Sequence, residues 1–86
     1  MYYIYILLEK NGQFYTGFSA DLRQRIKDHN AGKVESTRDR RPLKLIHYEA
    51  YIKESDARRR EKYLKTTEGK RFLKMQIRDL LEDLKI

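Results

Sequence analysis

Residues 2–18 read YYIYILLEKNGQFYTGF, a pattern that predicts a β-hairpin. Residues 2–8 and residues 14–18 are rich in the aromatic and β-branched side chains that favour strands. The five residues between them include Asn11-Gly12, a strong signal for a tight connection between antiparallel strands. The chain is therefore expected to begin with two paired strands.

A helix is expected directly after the hairpin. Ser19 or Asp21 can cap its N-terminus, because short polar side chains accept hydrogen bonds from free backbone N–H groups. Spacing at i, i+4 and i+7 predicts an inward face made of Leu22, Ile26 and His29. Asn30 and Gly32 tolerate left-handed geometry and would end the helix. The polar, basic segment 33–42 is interpreted as a loop.

The second half of the chain predicts one strand and two helices. Residues 43–51 form the third strand, and Ser55 can cap a helix that runs to about Lys65. Residues 66–69 break the pattern. Apolar residues at helical spacing then indicate a last helix: Leu73, Ile77, Leu80, Leu81 and Leu84. The expected fold class is α+β, a small three-stranded antiparallel sheet flanked by helices in the order ββαβαα.

Length and composition favour a single domain, residues 1–86, in a soluble cytoplasmic protein. The chain has no cysteine, which excludes disulfides and thiolate metal sites and fits a reducing compartment. Its longest apolar run, residues 2–8, is far shorter than the roughly 20 residues that span a membrane. The N-terminus lacks the basic region of a secretory signal. We therefore expect no membrane interaction.

Positive charge is concentrated in the middle of the chain. The formal net charge is +7, and 17 of the 20 Lys and Arg residues lie between Arg23 and Lys74. Clustered basic residues are the usual electrostatic footprint of a protein that binds a polyanion. This pattern favours nucleic acid as the partner over a basic protein that binds nothing in particular.

Glu61 is a carboxylate on a predicted inward face, because Ala57, Glu61 and Leu64 lie at i, i+4 and i+7. Charged side chains are almost never buried without a partner. One interpretation is a salt bridge at the edge of the core to Arg58, Arg59, Arg60 or Lys65. The other is a catalytic acid or a ligand for a hard cation such as Mg²⁺. The helix pattern alone does not separate the two.

Arg25 and His29 lie one turn apart on the same side of the first helix. An arginine can stabilise charge on a transferring phosphoryl group, and a histidine can relay a proton near neutral pH. The competing interpretation is structural. Arg25 would then be an ordinary exposed residue, and His29 would carry a charge that the helix C-terminus stabilises. Spacing alone favours the structural interpretation.

Tyrosines crowd the hairpin, at Tyr2, Tyr3, Tyr5 and Tyr15. Packing within strands explains them without any function, because aromatic side chains are favoured there. Gly17 is less ordinary, since a glycine inside a strand often marks the close approach of a ligand or another backbone. The sequence contains no P-loop, paired-histidine zinc motif or nucleophile elbow, so those catalytic classes are excluded.

Two short motifs in the hairpin resemble the GIY-YIG nuclease family. Tyr3-Ile4-Tyr5 and Tyr15-Thr16-Gly17 are similar to the two halves of the motif that names the family, with Tyr and Thr at two variable positions. Three further segments follow in the family's order: residues 22–30, 41–49 and 57–65. The resemblance covers residues 3 to about 74. It is strongest to small stand-alone bacterial members, which are similar to the nuclease module of the bacterial excision-repair system.

This resemblance implies a domain that cleaves a DNA phosphodiester bond with the help of one divalent ion, Mg²⁺ or Mn²⁺. By position, the family's catalytic residues fall on Tyr5, Tyr15, Arg25, His29 and Glu61. One tyrosine would activate the attacking water, Arg25 would steady the phosphate and Glu61 would hold the metal. Some members carry an asparagine or a similar polar residue after the glutamate. In this chain the corresponding residues 72–76 contain no asparagine.

Further basic residues are expected to bind backbone phosphates, contacts that position DNA without reading its sequence. They are Lys33, Arg38, Arg40 and Arg41 in the central loop, and Arg58, Arg59 and Lys62 on the second helix. We expect the loop to border Arg25. Two alternatives retain the same fold: a non-catalytic nucleic-acid-binding module and a protein-interaction domain. A protein partner could also supply specificity to the nuclease.

A shared active site constrains the hairpin loop, because side chains alternate across a strand. A two-residue turn at Asn11-Gly12 would pair Tyr5 with Phe18 and send Tyr5 and Tyr15 to opposite faces. A three-residue loop would pair Tyr5 with Gly17 and leave both tyrosines on one face, roughly 7–8 Å apart at the backbone. We therefore predict the three-residue loop, with Gly12 in the left-handed position and Gly17 leaving room for a substrate.

Overall fold

The computed structural model describes residues 1–86 as a three-stranded antiparallel sheet with four helices. The strands are β1 (Tyr2–Leu8), β2 (Phe14–Ser19) and β3 (Lys44–Tyr51), in the spatial order β2-β1-β3. The helices are α1 (Leu22–Asn30), α2 (Glu54–Leu64), α3 (Thr67–Gln76) and α4 (Arg78–Asp83). The predicted α+β fold class is confirmed. No helix has the length and apolar character needed to cross a membrane.

The two faces of the sheet pack against different helices. Strand β1 is central and alternates its side chains, so both of its faces are covered. On one face Ile4 and Ile6 belong to a core cluster with Ala57 of α2 and with the leucines of α3 and α4. On the other face Tyr5 and Leu7 pack with residues of α1. The tyrosine pair of the candidate site therefore lies on the α1 side.

The helix caps agree with the sequence in two places and differ in one. The Asp21 carboxylate accepts a hydrogen bond from Gln24 N at 3.2 Å and caps α1. Gly32 follows that helix with φ +77°, in the left-handed region. The predicted Ser55 cap is wrong, because α2 begins at Glu54, two residues earlier than a Ser55 cap requires, and its N-cap, Lys53, makes no side-chain capping bond. Two acidic residues in the first turn favour this start instead, since the N-terminus of a helix is positive.

The single last helix predicted from the leucine spacing is wrong, because Ile77 divides it into α3 and α4. Ile77 has φ −108° and ψ 28°, outside helical geometry, so the order is ββαβααα. The break turns the chain back and buries Leu81 in the core.

The loop of residues 31–43 is joined to the hairpin by a hydrogen bond and an ion pair. Lys10 N donates to the Arg40 carbonyl oxygen at 3.0 Å. The Arg40 guanidinium also contacts Glu9, at 3.2 Å from Nη1 to Oε1, and the Glu9 side chain is almost completely buried. Thr37 at the centre of the loop is fully buried. The predicted loop thus contains one turn of 3₁₀ helix, Arg38–Arg40, and packs as part of the domain.

A polar network joins β3 to α2 and fixes where α2 lies. Glu49 accepts hydrogen bonds from Arg60 Nε at 3.0 Å and from the Tyr51 hydroxyl at 2.6 Å, and it contacts His47 Nε2 at 2.8 Å. Burial alone would raise the pKa of Glu49, but the bonds from Arg60, His47 and Tyr51 hold it below the usual value. Burial, together with the bond to Glu49, raises the pKa of Tyr51 to about 12.

Candidate active site

The hairpin brings Tyr5 and Tyr15 to one face of the sheet. In the β1–β2 pairing Tyr5 lies opposite Gly17 and Leu7 lies opposite Tyr15. Gly12 has φ +87°, as the predicted three-residue loop requires. The prediction of loop length is therefore confirmed, against the simpler Asn-Gly turn. The two tyrosine rings are 6.4 Å apart between centroids, tilted by 39°.

Gly17 makes room for the Tyr5 ring. A Cβ atom added at position 17 would overlap Cζ and Oη of Tyr5, closer than side-chain atoms approach one another. The expectation that this glycine leaves room for a substrate is therefore wrong. Because no side chain stands at position 17, the Tyr5 ring can lie across β2 and carry its hydroxyl toward α1.

His29 is completely buried between Tyr5 and Thr37. Its Nε2 lies 2.8 Å from the Tyr5 hydroxyl, and its Nδ1 lies 2.8 Å from Thr37 Oγ1. Burial, with the positive charge of nearby Arg25, lowers the pKa of His29 to about 4. His29 is therefore neutral at physiological pH, and the interpretation as a charged residue at the helix C-terminus is wrong. A neutral imidazole can orient a tyrosine hydroxyl, since one ring nitrogen donates and the other accepts.

Arg25 lies beside the Tyr5 hydroxyl and keeps part of its surface open to solvent. Its guanidinium opposes the effect of burial, which on balance raises the pKa of Tyr5. The Tyr5 hydroxyl in turn raises the pKa of Arg25, which stays charged. A fixed positive charge next to two tyrosines is a suitable place for one phosphate group.

Glu61 lies on α2, and its negative charge adds to the effect of burial that raises the pKa of Tyr5. Its side chain is only 16% exposed. The carboxylate is ion-paired to Lys65 Nζ at 3.2 Å and lies 3.7 Å from Arg58 Nη1. Lys65 and Arg58 each lie one helix turn from Glu61, and both were among the salt-bridge partners expected from the sequence. Tyr5, Tyr15 and His29 thus lie in contact with Arg25 beside them, whereas Glu61 contacts its basic neighbours and acts on Tyr5 only through its charge.

Comparison with known proteins shows the family of the chain. A family model described as the GIY-YIG catalytic domain matches residues 1–76. The chain belongs to the GIY-YIG family. All five candidate catalytic residues lie within the matched span. The GIY-YIG assignment gives the domain a nuclease-like fold and agrees with the resemblance inferred from the hairpin motifs.

The related proteins carry the group name UPF0213, which describes no activity. A UPF0213 protein of Staphylococcus haemolyticus is 40% identical over 75 residues, which cover 86% of this chain and 92% of that protein. One from Halobacterium salinarum is 38% identical over 66 residues, covering 76% and 86%. The solution NMR structure of a UPF0213 protein from Bacillus halodurans is 38% identical, with a TM-score of 0.55, covering 85% of this chain and 82% of that one.

The GIY-YIG site offers a divalent cation few protein ligands. No group of three or more His, Asp or Glu side chains is arranged to hold a metal ion. Glu61 is the one carboxylate close to the tyrosines, and Lys65 and Arg58 compete for its oxygens. This set fits Mg²⁺, which usually keeps several waters and uses one or two carboxylates together with a substrate phosphate. It does not fit a cation such as Zn²⁺, which needs three or four protein ligands.

The seven predicted DNA-binding residues are all exposed, and three of them pair with acidic side chains. Arg40 pairs with Glu9, and Arg59 lies 2.9 Å from Asp56. Arg58 contacts two glutamates and also covers the Phe18 ring, with its Cζ 3.6 Å from the ring centroid. The members without a carboxylate partner are Lys33, Arg38, Arg41 and Lys62. Since Thr37 contacts His29, the loop packs on the His29 side of α1.

Thr37 belongs to the GIY-YIG site, and sequence reasoning missed it. It lies in a polar loop eight residues after His29, and nothing in its neighbours distinguishes it from an exposed loop threonine. Glu9 was missed in the same way, because the hairpin pattern gave no reason to bury a carboxylate at the loop. The Thr37 contact depends on how the loop after α1 folds back, and the Glu9 contact joins residues 31 positions apart, so no helix or strand pattern contains either of them.

A separate open groove lies on the other flank of α1. Its walls include Tyr3 and Tyr48 from the sheet and Arg23 and Lys27 from the helix. None of the five candidate catalytic residues lines it. On a helix, residues 23 and 27 lie on roughly the opposite side from Arg25. The largest concave surface of the domain is therefore distinct from the tyrosine–histidine cluster.

Proposed function

We propose that this protein is a metal-dependent endonuclease that hydrolyses DNA phosphodiester bonds in repair or processing. One observation carries the proposal. Tyr5 and Tyr15 share one face of the sheet, and the Tyr5 hydroxyl is held by a neutral His29 beside the Arg25 guanidinium. Tyrosine oxygens next to a fixed positive charge provide a hydrogen-bonding group for a water nucleophile and a site for a phosphate. Membership of the GIY-YIG family supports the same function.

In the proposed mechanism, Arg25 binds the scissile phosphate and stabilises the charge that develops on its oxygens. The oxygen of Tyr5 or Tyr15 assists deprotonation of the attacking water: it takes the water proton as its own hydroxyl hydrogen passes to a phosphate oxygen, so the tyrosine stays neutral. Water oxygen bonds to phosphorus as the bond to the leaving oxygen breaks. A divalent ion at Glu61 would neutralise phosphate charge. Glu61 would have to leave Lys65 to bind that ion, which the exposed end of the lysine side chain permits.

Basic residues around the site supply the attraction for DNA. Lys33, Arg38, Arg41 and Lys62 are exposed and have no carboxylate partner, although Arg41 Nε donates to the Arg38 carbonyl oxygen at 2.9 Å. Arg40, Arg58 and Arg59 would have to exchange a carboxylate for a phosphate. The exposed pair of Arg59 with Asp56 is worth little, so that exchange costs little. Arg40 would leave the buried Glu9 carboxylate without its partner, so its exchange costs more.

The decisive experiment is cleavage of supercoiled plasmid and branched DNA, with Mg²⁺, with Mn²⁺ and with chelator. Glu61→Gln keeps the shape of the side chain but loses the charge that a hard cation needs, so we expect no cleavage and retained DNA binding. Glu68→Gln is a matched control on α3. Wild-type rates in Glu61→Gln would contradict the role of Glu61 as a metal ligand. Absence of cleavage by the wild-type protein under every condition would contradict the nuclease proposal.

The ion pairs of Glu61 favour one second candidate, a module that binds nucleic acid without cutting it. In that case Lys65 and Arg58 would keep the carboxylate neutralised permanently. Such a module would bind DNA with an affinity that falls steeply with salt, because phosphate contacts release counterions. Mg²⁺ would then weaken binding only as any salt does, and no product would form. A protein-interaction domain would show no salt-dependent DNA binding at all.

A further inference from the structure

The groove on the flank of α1 away from Arg25 has the size of a binding site but is not enclosed. Its volume is about 540 Å³, within the range of roughly 300–1,000 Å³ that is typical of ligand sites. Leu22 and Ile26 of α1 and Leu45 of β3 contribute apolar surface to it. Because the groove is open to solvent, it suits part of an extended chain better than a small molecule that must be surrounded.

Two tyrosine rings line the groove. Tyr48 pairs with Tyr5 across β1 and β3, so its side chain lies on the face of the sheet that carries α1. Tyr48 is 55% exposed, although its ring centroid lies only 6.3 Å from that of Tyr3, with the two rings tilted by 57°. An exposed ring beside a second ring offers a surface on which a planar group can stack.

Two positive charges stand beside these rings. Arg23 and Lys27 lie one turn apart on α1, both are exposed, and neither forms an ion pair. Like charges at this spacing repel each other. Asp21 also borders the groove, but its carboxylate caps α1 through Gln24 N. An anion bound between Arg23 and Lys27 would relieve their repulsion.

Aromatic rings and free cations in one groove match the two parts of a nucleotide, the base and the phosphate. Proteins that bind single strands combine a positively charged groove with aromatic side chains on which bases stack. Stacking needs an unpaired base, because the bases of a duplex already cover one another. An acidic peptide would use the two cations but would give the rings no planar partner. The groove therefore fits a single strand better than a duplex or a peptide.

We propose that this groove binds an unpaired segment of DNA, with one base stacked on Tyr48 and the adjoining phosphates on Arg23 and Lys27. The width of a helix, roughly 10–12 Å, separates the groove from Arg25. About three or four nucleotides span this distance at 3.4 Å each. A strand whose phosphate lies at Arg25 can thus extend an unpaired end into the groove. Binding stands on the groove alone, whereas its part in cleavage rests on the proposed nuclease function.

Fluorescence anisotropy with a labelled oligothymidylate of about 12 nucleotides tests the stacking site without metal or cleavage. Tyr48→Leu keeps apolar bulk but removes the ring, so it should weaken binding about 5- to 100-fold, the effect of losing one stacked base. Tyr48→Phe keeps the ring and should bind like the wild type. Equal affinities of Tyr48→Leu and wild type for the single strand would overturn the proposal, as would an equal loss of affinity for a blunt duplex.

Salt titration of the same complex tests the two cations. Arg23→Gln and Lys27→Gln should each reduce the slope of log affinity against log salt by about 0.7, the value for one phosphate contact on a single strand. Lys44→Gln is the matched control, because Lys44 pairs with Leu8 on the opposite face of the sheet. Equal changes in all three variants would mean that the strand follows net charge and not the groove. Displacement by poly-glutamate as readily as by unlabelled oligothymidylate would assign the groove to an acidic peptide and overturn the proposal.

Cleavage of branched DNA with an unpaired arm tests the link to the nuclease. Tyr48→Leu should mainly raise KM, because the groove holds the substrate away from the reacting atoms. Lys44→Gln should cut like the wild type. An unchanged KM in Tyr48→Leu would overturn the role of the groove in cleavage. If the wild-type protein cuts no DNA, the nuclease proposal fails, while the anisotropy result still decides whether the groove binds an unpaired strand.

Discussion

Replacing Gly17 with alanine should displace the Tyr5 ring and destabilise the fold. The added methyl group would occupy the space of Tyr5 Cζ and Oη, which are the far end of a fully buried ring. Overpacking of this kind typically costs about 1–3 kcal/mol. Moving the ring also breaks the 2.8 Å bond to His29, worth about 1 kcal/mol. We expect a loss of about 2–4 kcal/mol in the free energy of unfolding.

Urea unfolding followed by circular dichroism measures this loss. In a domain of this length, 1 kcal/mol shifts the Tm by roughly 4–8 °C, so the Tm of Gly17→Ala should fall by at least about 8 °C. The backbone gives no reason for such a loss. Gly17 is not among the glycines with positive φ, and alanine at a compatible position stabilises a protein by about 0.4–1 kcal/mol through the unfolded chain.

A double-mutant cycle separates the steric explanation from any other. Tyr5→Leu removes Cζ, Oη and Cε2, the three atoms that the new methyl group would meet. In that background Gly17→Ala should cost less than about 1 kcal/mol, so the coupling between the two positions should be large. If Gly17→Ala costs the same in both backgrounds, or nothing in the wild type, the close approach of Tyr5 to Gly17 is not what requires glycine.

Three further predictions concern pH and a helix cap. The folded protein holds the pKa of His29 at about 4, below that of an unfolded histidine, so the unfolded chain binds the proton first as the pH falls. The free energy of unfolding should therefore drop by roughly 3 kcal/mol between pH 7 and pH 4, measured by urea titration. The drop should be smaller in His29→Gln. Because the pKa of Glu49 is lowered in the folded protein, Glu49 stabilises the fold at any pH above its pKa in the unfolded chain, near 4.5, and this stabilisation is lost as the pH falls below that value. Glu49→Gln should unfold at a lower urea concentration and should lose this dependence on acid pH. Thr66→Ala should cost about 1 kcal/mol in thermal unfolding, because Thr66 Oγ1 accepts from Gly69 N at 3.0 Å, whereas the control Ser55→Ala should cost almost nothing.

The hairpin could be predicted in detail because two independent constraints agreed on it. Asn11-Gly12 placed the turn, and the requirement that Tyr5 and Tyr15 share a face chose the three-residue loop over the two-residue turn. The same local pattern could not say what Gly17 accommodates. A sequence shows that a side chain is missing but does not show which distant group occupies the space.

Elements that depend on packing were predicted less well. The leucine spacing continues through Ile77 without interruption, so periodicity alone favoured one helix, and nothing local in the sequence marks the break. The place of Thr37 beneath His29 depends on how the loop folds back over α1. The partial burial of Glu61 followed from its predicted inward helical face, while its partners were left open and proved to be Lys65 and Arg58.

The anchoring of the loop to the hairpin has a consequence for the kinetics with which DNA would bind. Lys10 and Glu9 fix the loop at Arg40, and the burial of Thr37 fixes its centre, so its conformational entropy is lost when the protein folds. Binding then orders only the ends of a few long side chains and leaves the backbone unchanged. Association should therefore follow simple one-step kinetics, with free and bound forms of nearly the same shape.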